Sequence, residues 1–139
     1  MRFHRFVRDD KGALVVEFAL VVPILMLIVF GIIDFSRAYY TLGNLDTAVR
    51  EGARYAALLR DPGGVQEQDV KDLVRKRFVG FGSDSLVDSQ INVDLSNPVV
   101  TVTVANYPFR LLTPLASVFG ASTINLDRSA VFRWELAPP

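Results

Sequence analysis

The sequence contains no cysteine, and its single histidine is His4. Without cysteine there is no disulfide, no thiolate nucleophile and no cysteine-ligated zinc site. From residue 34 onward there is no histidine either, which excludes a Ser-His-Asp triad and a histidine-ligated zinc site in that part of the chain. The basic residues form no dense patch with interleaved aromatic residues, so the sequence gives little support to nucleic-acid binding.

The chemistry left to an enzyme would rest on carboxylates, hydroxyls, lysine and arginine, and no motif proposes such a site. Three acidic residues, Asp84, Asp88 and Asp94, do not follow the spacing of an aspartate-rich calcium loop and are better explained as turn and edge residues. We therefore expect no catalytic residue, no metal, no cofactor and no small-molecule substrate.

What the sequence does contain is a long apolar run over residues 13–33, with Glu17 as its only ionisable residue. As a helix this run would be about 30 Å long, which matches the hydrocarbon thickness of a bilayer. A charge inside such a helix costs about 2.5–3.5 kcal/mol at mid-depth, so Glu17 needs a role. The segment in front of the run carries four basic residues, namely Arg2, Arg5, Arg8 and Lys11. No comparable basic cluster directly follows the run.

This charge asymmetry predicts the orientation of the chain in a membrane. The positive-inside rule places the amino terminus in the cytoplasm and sends residues 34–139 across the bilayer. In a bacterium we therefore expect a single-pass protein of the inner membrane, with residues 13–33 in the lipid bilayer and residues 34–139 in the periplasm or at the cell surface.

The residues around Gly12 suggest how the chain is processed. A secretory signal has a shorter apolar core, followed by small residues at the cleavage site, whereas bulky residues follow this one. Residues 11–17 read KGALVVE, which resembles the type IV prepilin signal. The resemblance implies that a prepilin peptidase cuts between Gly12 and Ala13 and removes residues 1–12 as a leader.

The resemblance continues beyond the signal. The stretch VEFALVVPILMLIVFGIIDFSRAYY, followed by AVREGARYAALL, resembles the TadE-like minor pilins of tight-adherence (Flp, type IVb) pilus systems. Asp34 replaces the commoner glutamate of that pattern, and Val49 replaces an alanine. The remaining positions that carry the motif are Phe18, Pro23, Gly31, Arg50, Glu51, Gly52, Ala53 and Arg54.

The resemblance implies a structural minor pilin or pseudopilin that takes part in pilus assembly, adhesion or secretion. Its implied partners are the prepilin peptidase, other pilins of the same pilus and an inner-membrane assembly platform. Glu17 would then assist assembly by meeting the amine of a neighbouring subunit; alternatively, it reaches headgroup water or pairs with its own terminus. The rival function is a single-pass envelope scaffold or sensor that never enters a filament.

Beyond the apolar run, the pattern predicts that the same helix continues to about Leu59, where Asp61-Pro62-Gly63-Gly64 ends it. Pro23 either kinks this helix or is tolerated within the membrane. A small-residue patch, containing Gly52 and Ala53, should pack against the chain's own sheet or against a neighbouring subunit. The apolar stripe consists of Phe35, Ala38, Tyr39, Leu42, Leu45, Val49, Gly52, Ala53 and Ala56, with Asp46 and Arg50 paired on its flank.

The rest of the sequence predicts a short helix over 66–79 and three strands with alternating apolar residues over 91–95, 100–104 and 124–134. Ser96-Asn97-Pro98 should join the first two strands as a hairpin, and Arg128 suggests a bulge or an end in the third. The apolar stretch 106–121 should fold over the sheet or, alternatively, rest on the membrane surface. The predicted fold is thus pilin-like α+β: a long helix on a three-stranded antiparallel sheet, with one short extra helix.

Overall fold

A computed structural model describes residues 10–58, 64–80, 85–96, 98–113, 120 and 122–133. It contains the helices α1 (Asp10–Leu58) and α2 (Glu67–Arg77), a short 3-10 turn (Asp88–Gln90), and the strands β1 (Ile91–Asp94), β2 (Val99–Arg110) and β3 (Thr123–Arg133). The predicted α+β architecture, with two helices and a three-stranded antiparallel sheet, is confirmed.

Helix α1 is 49 residues long and continues through Pro23. At the usual rise per residue it extends for about 70 Å. Its most apolar stretch has a mean hydropathy of 2.8, and none of that stretch is buried by the rest of the chain. This part of α1 is long and apolar enough to cross a membrane, which is compatible with a single-pass anchor.

The second half of α1 packs against the sheet and α2. Its buried positions recur every three or four residues, but the stripe differs from the predicted one. Phe35 and Tyr39, which we expected on it, are 69% and 70% exposed, and their rings contact each other instead. By helical phase they share a face with Ala53 and Ala57, five turns further along, so phase alone does not decide burial here. The positions that are buried in this half of α1 are Asp34, Thr41, Leu45, Ala48, Val49, Gly52, Ala53, Ala56 and Ala57.

The sheet has the order β1-β2-β3 with antiparallel neighbours. In β2 the side chains of Val100, Val102 and Val104 are buried and alternate with more exposed residues, as the period of two predicts. The hairpin between β1 and β2 is also confirmed: the Val99 amide donates to the Ser96 carbonyl at 2.8 Å, and Pro98 directly precedes the strand.

Strand β2 is longer than predicted, because residues 106–110 belong to it and not to a loop. The predicted bulge lies in β2 and not at Arg128 of β3. Val104 pairs with Arg128 and Tyr107 with Leu126, so two residues of β2 face the single residue Asp127.

The bulge residue Asn106 has a φ of 57°, a conformation that asparagine tolerates better than most residues. Its amide donates to the Asp127 carboxylate at 2.6 Å. Beyond the bulge, Pro108 is accommodated because β1 pairs only with residues 101–104, which leaves this part of β2 with one neighbouring strand.

Strand β3 follows the predicted parity with one exception. Leu126 and Ala130 are buried, but Ile124, expected on the same inner face, is 45% exposed because it lies next to the end of the strand. Trp134 lies outside the described residues, as do Leu59 and the predicted helix stop at 61–63.

Helix α2 begins and ends slightly inside the predicted range, and it buries Val70 and Val74 against the core. Phe78, directly after it, meets the ring of Tyr107 edge-on, with 5.2 Å between the ring centroids. The core thus lies between the second half of α1, α2 and one face of the sheet. The apolar first half of α1 lies outside that core.

Candidate functional site

The first candidate site is the exposed surface of α1 around Glu17. Leu14, Phe18 and Val21 line a shallow apolar surface with Glu17. No described lysine or arginine forms an ion pair with the Glu17 carboxylate. A single carboxylate among aliphatic side chains is therefore available to a group from outside the chain.

Gly12 and Ala13 lie in the first turns of α1, on the same exposed part of the helix. Ala13 is four residues before Glu17, about 6 Å of helical rise and on nearly the same face. An amine at position 13 would therefore be separated from the Glu17 carboxylate by about one turn. Further along this half, Pro23 is exposed, and a Cβ at Gly31 would meet nothing within 4 Å.

Asp34 forms a second candidate site at the boundary between the two halves of α1. It is only 4% exposed although it is ionisable. Its carboxylate accepts hydrogen bonds from the amide of Leu112 (2.8 and 3.0 Å to its two oxygens), and from the amide (2.8 Å) and hydroxyl (2.5 Å) of Thr113. These groups follow the end of β2, so Asp34 ties the exit of that strand to the helix.

Arg37 completes this site. Its guanidinium lies 3.3 Å from the Asp34 carboxylate, donates to the Arg110 carbonyl at 3.4 Å, and lies over the Phe109 ring at 5.2 Å from its centroid. One turn of α1 therefore contacts four residues at and just after the end of β2, through a ring, a carbonyl and two amides.

Burial by itself raises the pKa of Asp34, because the charged form is desolvated. The hydrogen bonds from Thr113 and Leu112 and the charge of Arg37 outweigh that penalty, so the pKa of Asp34 lies below its ordinary value. The carboxylate is therefore ionised at neutral pH, and its charge is compensated by four hydrogen-bond contacts and a guanidinium.

The third group of predicted residues lies at the other end of α1. Gly52 is buried where α1 meets α2, and a Cβ placed on it would lie 2.5 Å from a methyl group of Val74. Ala53 is fully buried beside it. The small-residue patch therefore packs within the chain, against α2 as well as the sheet, and Gly52 permits the close approach of the two helices.

The charged members of this group lie on the surface. Arg50 pairs with Asp46 at 2.8 Å, as predicted from their spacing, and Glu51 pairs with Arg77 of α2 at 2.8 Å. Arg54 is exposed beside Glu51, Tyr55 and Leu58, in an open groove shared with α2.

The structure does not bring the predicted residues together into one site. They are distributed over three places: the exposed apolar half of α1, the buried junction at Asp34, and the contact between α1 and α2. The partners of Asp34, namely Arg37, Leu112 and Thr113, were not predicted. The sequence carried a signal for the burial of Asp34 but not for the identity of its partners: Asp34 is in phase with Ala38, Leu45 and Gly52, and a carboxylate at a buried position requires donors.

The acidic residues of the β1 region have internal partners. Asp88 accepts from Arg75 at 2.7 Å, and Asp94 accepts from the Ser96 amide at 3.0 Å. Within the described ranges, no group of three or more histidine, cysteine, aspartate or glutamate side chains is arranged to hold a metal ion.

The comparisons with known proteins concern this same helix. The comparisons with curated proteins and with solved structures found no match. Residues 12–54 match the family model described as "TadE-like protein". The matched segment begins at the predicted cleavage site and includes both halves of α1, and it contains Glu17, Asp34 and Gly52. The predicted resemblance to TadE-like proteins is thus confirmed for residues 12–54.

Proposed function

We propose that the protein is a structural, non-catalytic subunit of a tight-adherence (Tad) pilus system, a minor pilin or pseudopilin held in the inner membrane by α1. The observation that carries the proposal is the coincidence of the TadE-like segment with a helix whose first half is apolar and uncovered. Involvement in a Tad pilus system is what the family implies; the subunit's role and its processing are our proposals.

The membrane arrangement follows from charge and hydropathy. The basic segment before residue 12 stays in the cytoplasm, and the domain formed by the second half of α1, α2 and the sheet lies in the periplasm. A prepilin peptidase removes residues 1–12 by cutting after Gly12, and the new amino terminus is the amine of Ala13.

Assembly uses Glu17. A carboxylate and an amine that are each costly in lipid attract each other strongly at low dielectric. In the chain alone, the Glu17 carboxylate has no basic side-chain partner among the described residues. When helices of neighbouring subunits pack with an axial offset, Glu17 of one meets the Ala13 amine of the other, which fixes the register between subunits. The partners are therefore other pilins of the same system, together with its inner-membrane assembly platform.

The alternative is a membrane-anchored scaffold or sensor that remains outside any filament. Such a protein would use α1 only as an anchor, and it would need no cleavage. An uncut chain in a cell that contains the peptidase would favour this alternative.

The cleavage step provides the experiment. The chain is expressed with and without a prepilin peptidase, extracted from membranes, and its amino-terminal residue is determined by sequencing and intact mass. We expect Ala13 as the first residue only when the peptidase is present, and an intact leader for Gly12→Leu. Gly31→Leu is the matched control, since a Cβ there meets nothing within 4 Å, and it should be cut normally. An intact leader in the wild-type chain would overturn the proposal.

A further inference from the structure

The end of the sheet nearest the apolar half of α1 has exposed aliphatic side chains. Leu112 is 56% exposed although its amide is bound to the buried Asp34 carboxylate. Ile124 is also exposed, and it pairs with Phe109 at the same end of β2. On α1, Phe35 and Tyr39 are exposed just beyond the apolar run. We refer to Leu112, Ile124, Phe35 and Tyr39 as the membrane-proximal rim.

The height of the rim above the apolar run follows from Asp34. Asp34 comes directly after Ile33, the last residue of that run. The Leu112 amide is 2.8 Å from its carboxylate, so the exit of β2 is held at the level where the apolar half of α1 ends. Measured from Ile33, Phe35 and Tyr39 lie about 3 Å and about 9 Å further along the helix axis. The headgroup layer on each side of the hydrocarbon is about 5–8 Å thick, so Phe35 lies within its depth and Tyr39 at its outer edge.

The chemistry of the rim matches that layer. Aromatic side chains such as tyrosine are enriched where a membrane helix passes through the headgroups. Leu112 and Ile124 present apolar side chains there, and the amides of Leu112 and Thr113 already donate to Asp34, so these two amides need no water as a partner. An exposed charge at the position of Asp34 would be costly near lipid, but the carboxylate is buried and compensated.

We propose that the membrane-proximal rim rests in the lipid headgroup region, and that Asp34 holds it there. The domain is then seated on the bilayer surface and does not stand clear of it on a free helix. This fixes the height and tilt at which the domain is presented to other subunits. The proposal rests on the membrane-anchor part of the proposed function, and it is independent of leader cleavage and filament entry.

The absence of native cysteine makes a clean test possible, because a single introduced cysteine is the only labelling site. Nitroxide labels are placed one at a time at Leu112→Cys, Leu25→Cys and Val131→Cys in the full chain, in vesicles of phosphatidylethanolamine and phosphatidylglycerol. The label's accessibility to oxygen, which concentrates in lipid, is compared with its accessibility to a water-soluble nickel chelate. Val131 is the matched control, being 60% exposed near the opposite end of the sheet.

We expect a ratio of oxygen to nickel accessibility that is highest at Leu25, several-fold lower at Leu112, and lowest at Val131. The inference would be overturned if the Leu112 label were as accessible to the nickel chelate as the Val131 label while the Leu25 label remained in lipid. The membrane anchor would then still stand. A Leu25 label in water would overturn the anchor itself, and with it both proposals.

The role of Asp34 is tested by adding Asp34→Asn to the Leu112→Cys chain. An amide oxygen replaces a charged acceptor that now receives four hydrogen-bond contacts, so we expect the Leu112 label to become more mobile and more open to the nickel chelate. Thr113→Val, which removes only the hydroxyl donor, should have the same effect at smaller size. If neither change alters the label, Asp34 does not hold the rim in place.

Discussion

The two halves of α1 belong to one continuous helix and differ in what covers their apolar side chains. From Leu45 onward, most apolar positions occupy one face and are buried by the sheet and α2, with Tyr55 and Leu58 as exposed exceptions. In residues 13–33 they occupy every face, and the described part of the chain does not cover them. A helix that is apolar all round requires an apolar surrounding, whereas a helix with one apolar face requires one partner surface. The first half is therefore compatible with an anchor surrounded by lipid, or by other helices within lipid.

The largest effect that should separate the two halves comes from removing one leucine from each. Leu45→Ala empties a fully buried site, and we expect it to destabilise the domain by about 2–5 kcal/mol. Leu25→Ala should leave the unfolding of the domain unchanged, since Leu25 is 52% exposed and packs on none of the core. Thermal unfolding of the full chain in detergent, followed by circular dichroism, measures both. Equal losses from the two substitutions would contradict the division of the helix.

The next largest effect concerns the junction between the halves. Asp34→Asn weakens charge-assisted hydrogen bonds to Leu112 and Thr113, and we expect a loss of about 1.5–3 kcal/mol at neutral pH. Because the pKa of Asp34 is lowered on folding, its ionised form contributes stability above the unfolded-state pKa. That contribution is lost as the pH falls below about 3.8 and through the folded-state value.

The difference in melting temperature between wild type and Asp34→Asn should therefore narrow as the pH is lowered from neutral into this acid range. A difference that stays constant across the same range would show that the charge of Asp34 does not stabilise the junction. Asp46→Asn is the control, since Asp46 forms only an exposed pair with Arg50 and should cost less than about 1 kcal/mol.

Alanine substitutions at two glycines in the second half of α1 should have smaller effects on stability, and these effects should have opposite signs. Gly52→Ala places a methyl group 2.5 Å from Val74, a buried β-branched side chain with little rotamer freedom. Overpacking costs about 1–3 kcal/mol and the gain in helix propensity offsets about 1 kcal/mol of it. At Gly43 a methyl group meets nothing within 4 Å, so Gly43→Ala should stabilise by about 0.5–1 kcal/mol. Chemical denaturation of the two variants should give shifts in opposite directions, and a stabilising Gly52→Ala would contradict the close helix contact.

Much of this architecture was predictable because the periodicity of apolar residues and the positions of helix- and strand-breaking residues are local signals. The apolar run gave the first half of α1, and alternation of valines gave β2 and its hairpin with β1. The stripe on the second half was harder, because helical phase does not show how wide a face the sheet covers at each level of the helix. Only the sheet decides that Leu45 is inside while Phe35 and Tyr39 are outside.

The parts that were not predicted depend on contacts between distant residues. Asn106, Tyr107 and Pro108 resemble a loop in sequence, but pairing with β3 extends the strand through them, with the bulge placed opposite Asp127. The junction at Asp34 brings this residue into contact with Leu112 and Thr113, which lie 78 and 79 positions further along the chain. A buried carboxylate can be expected from its helical phase, but its donors cannot be identified without the fold.

In the proposed function, the uncovered half of α1 serves assembly through Glu17 as well as anchoring the chain. The most direct measurement is the amount of Glu17→Gln protein that co-purifies with partner pilins, relative to wild type, in cells that contain the complete pilus system. Glu51→Gln makes the same chemical change in the covered half of the same helix, where the pair with Arg77 is exposed, and it should co-purify at the wild-type level. We expect Glu17→Gln to be cut and inserted normally but to be strongly depleted among the partner pilins. Incorporation of cut, stable Glu17→Gln protein at the wild-type level would contradict the claim.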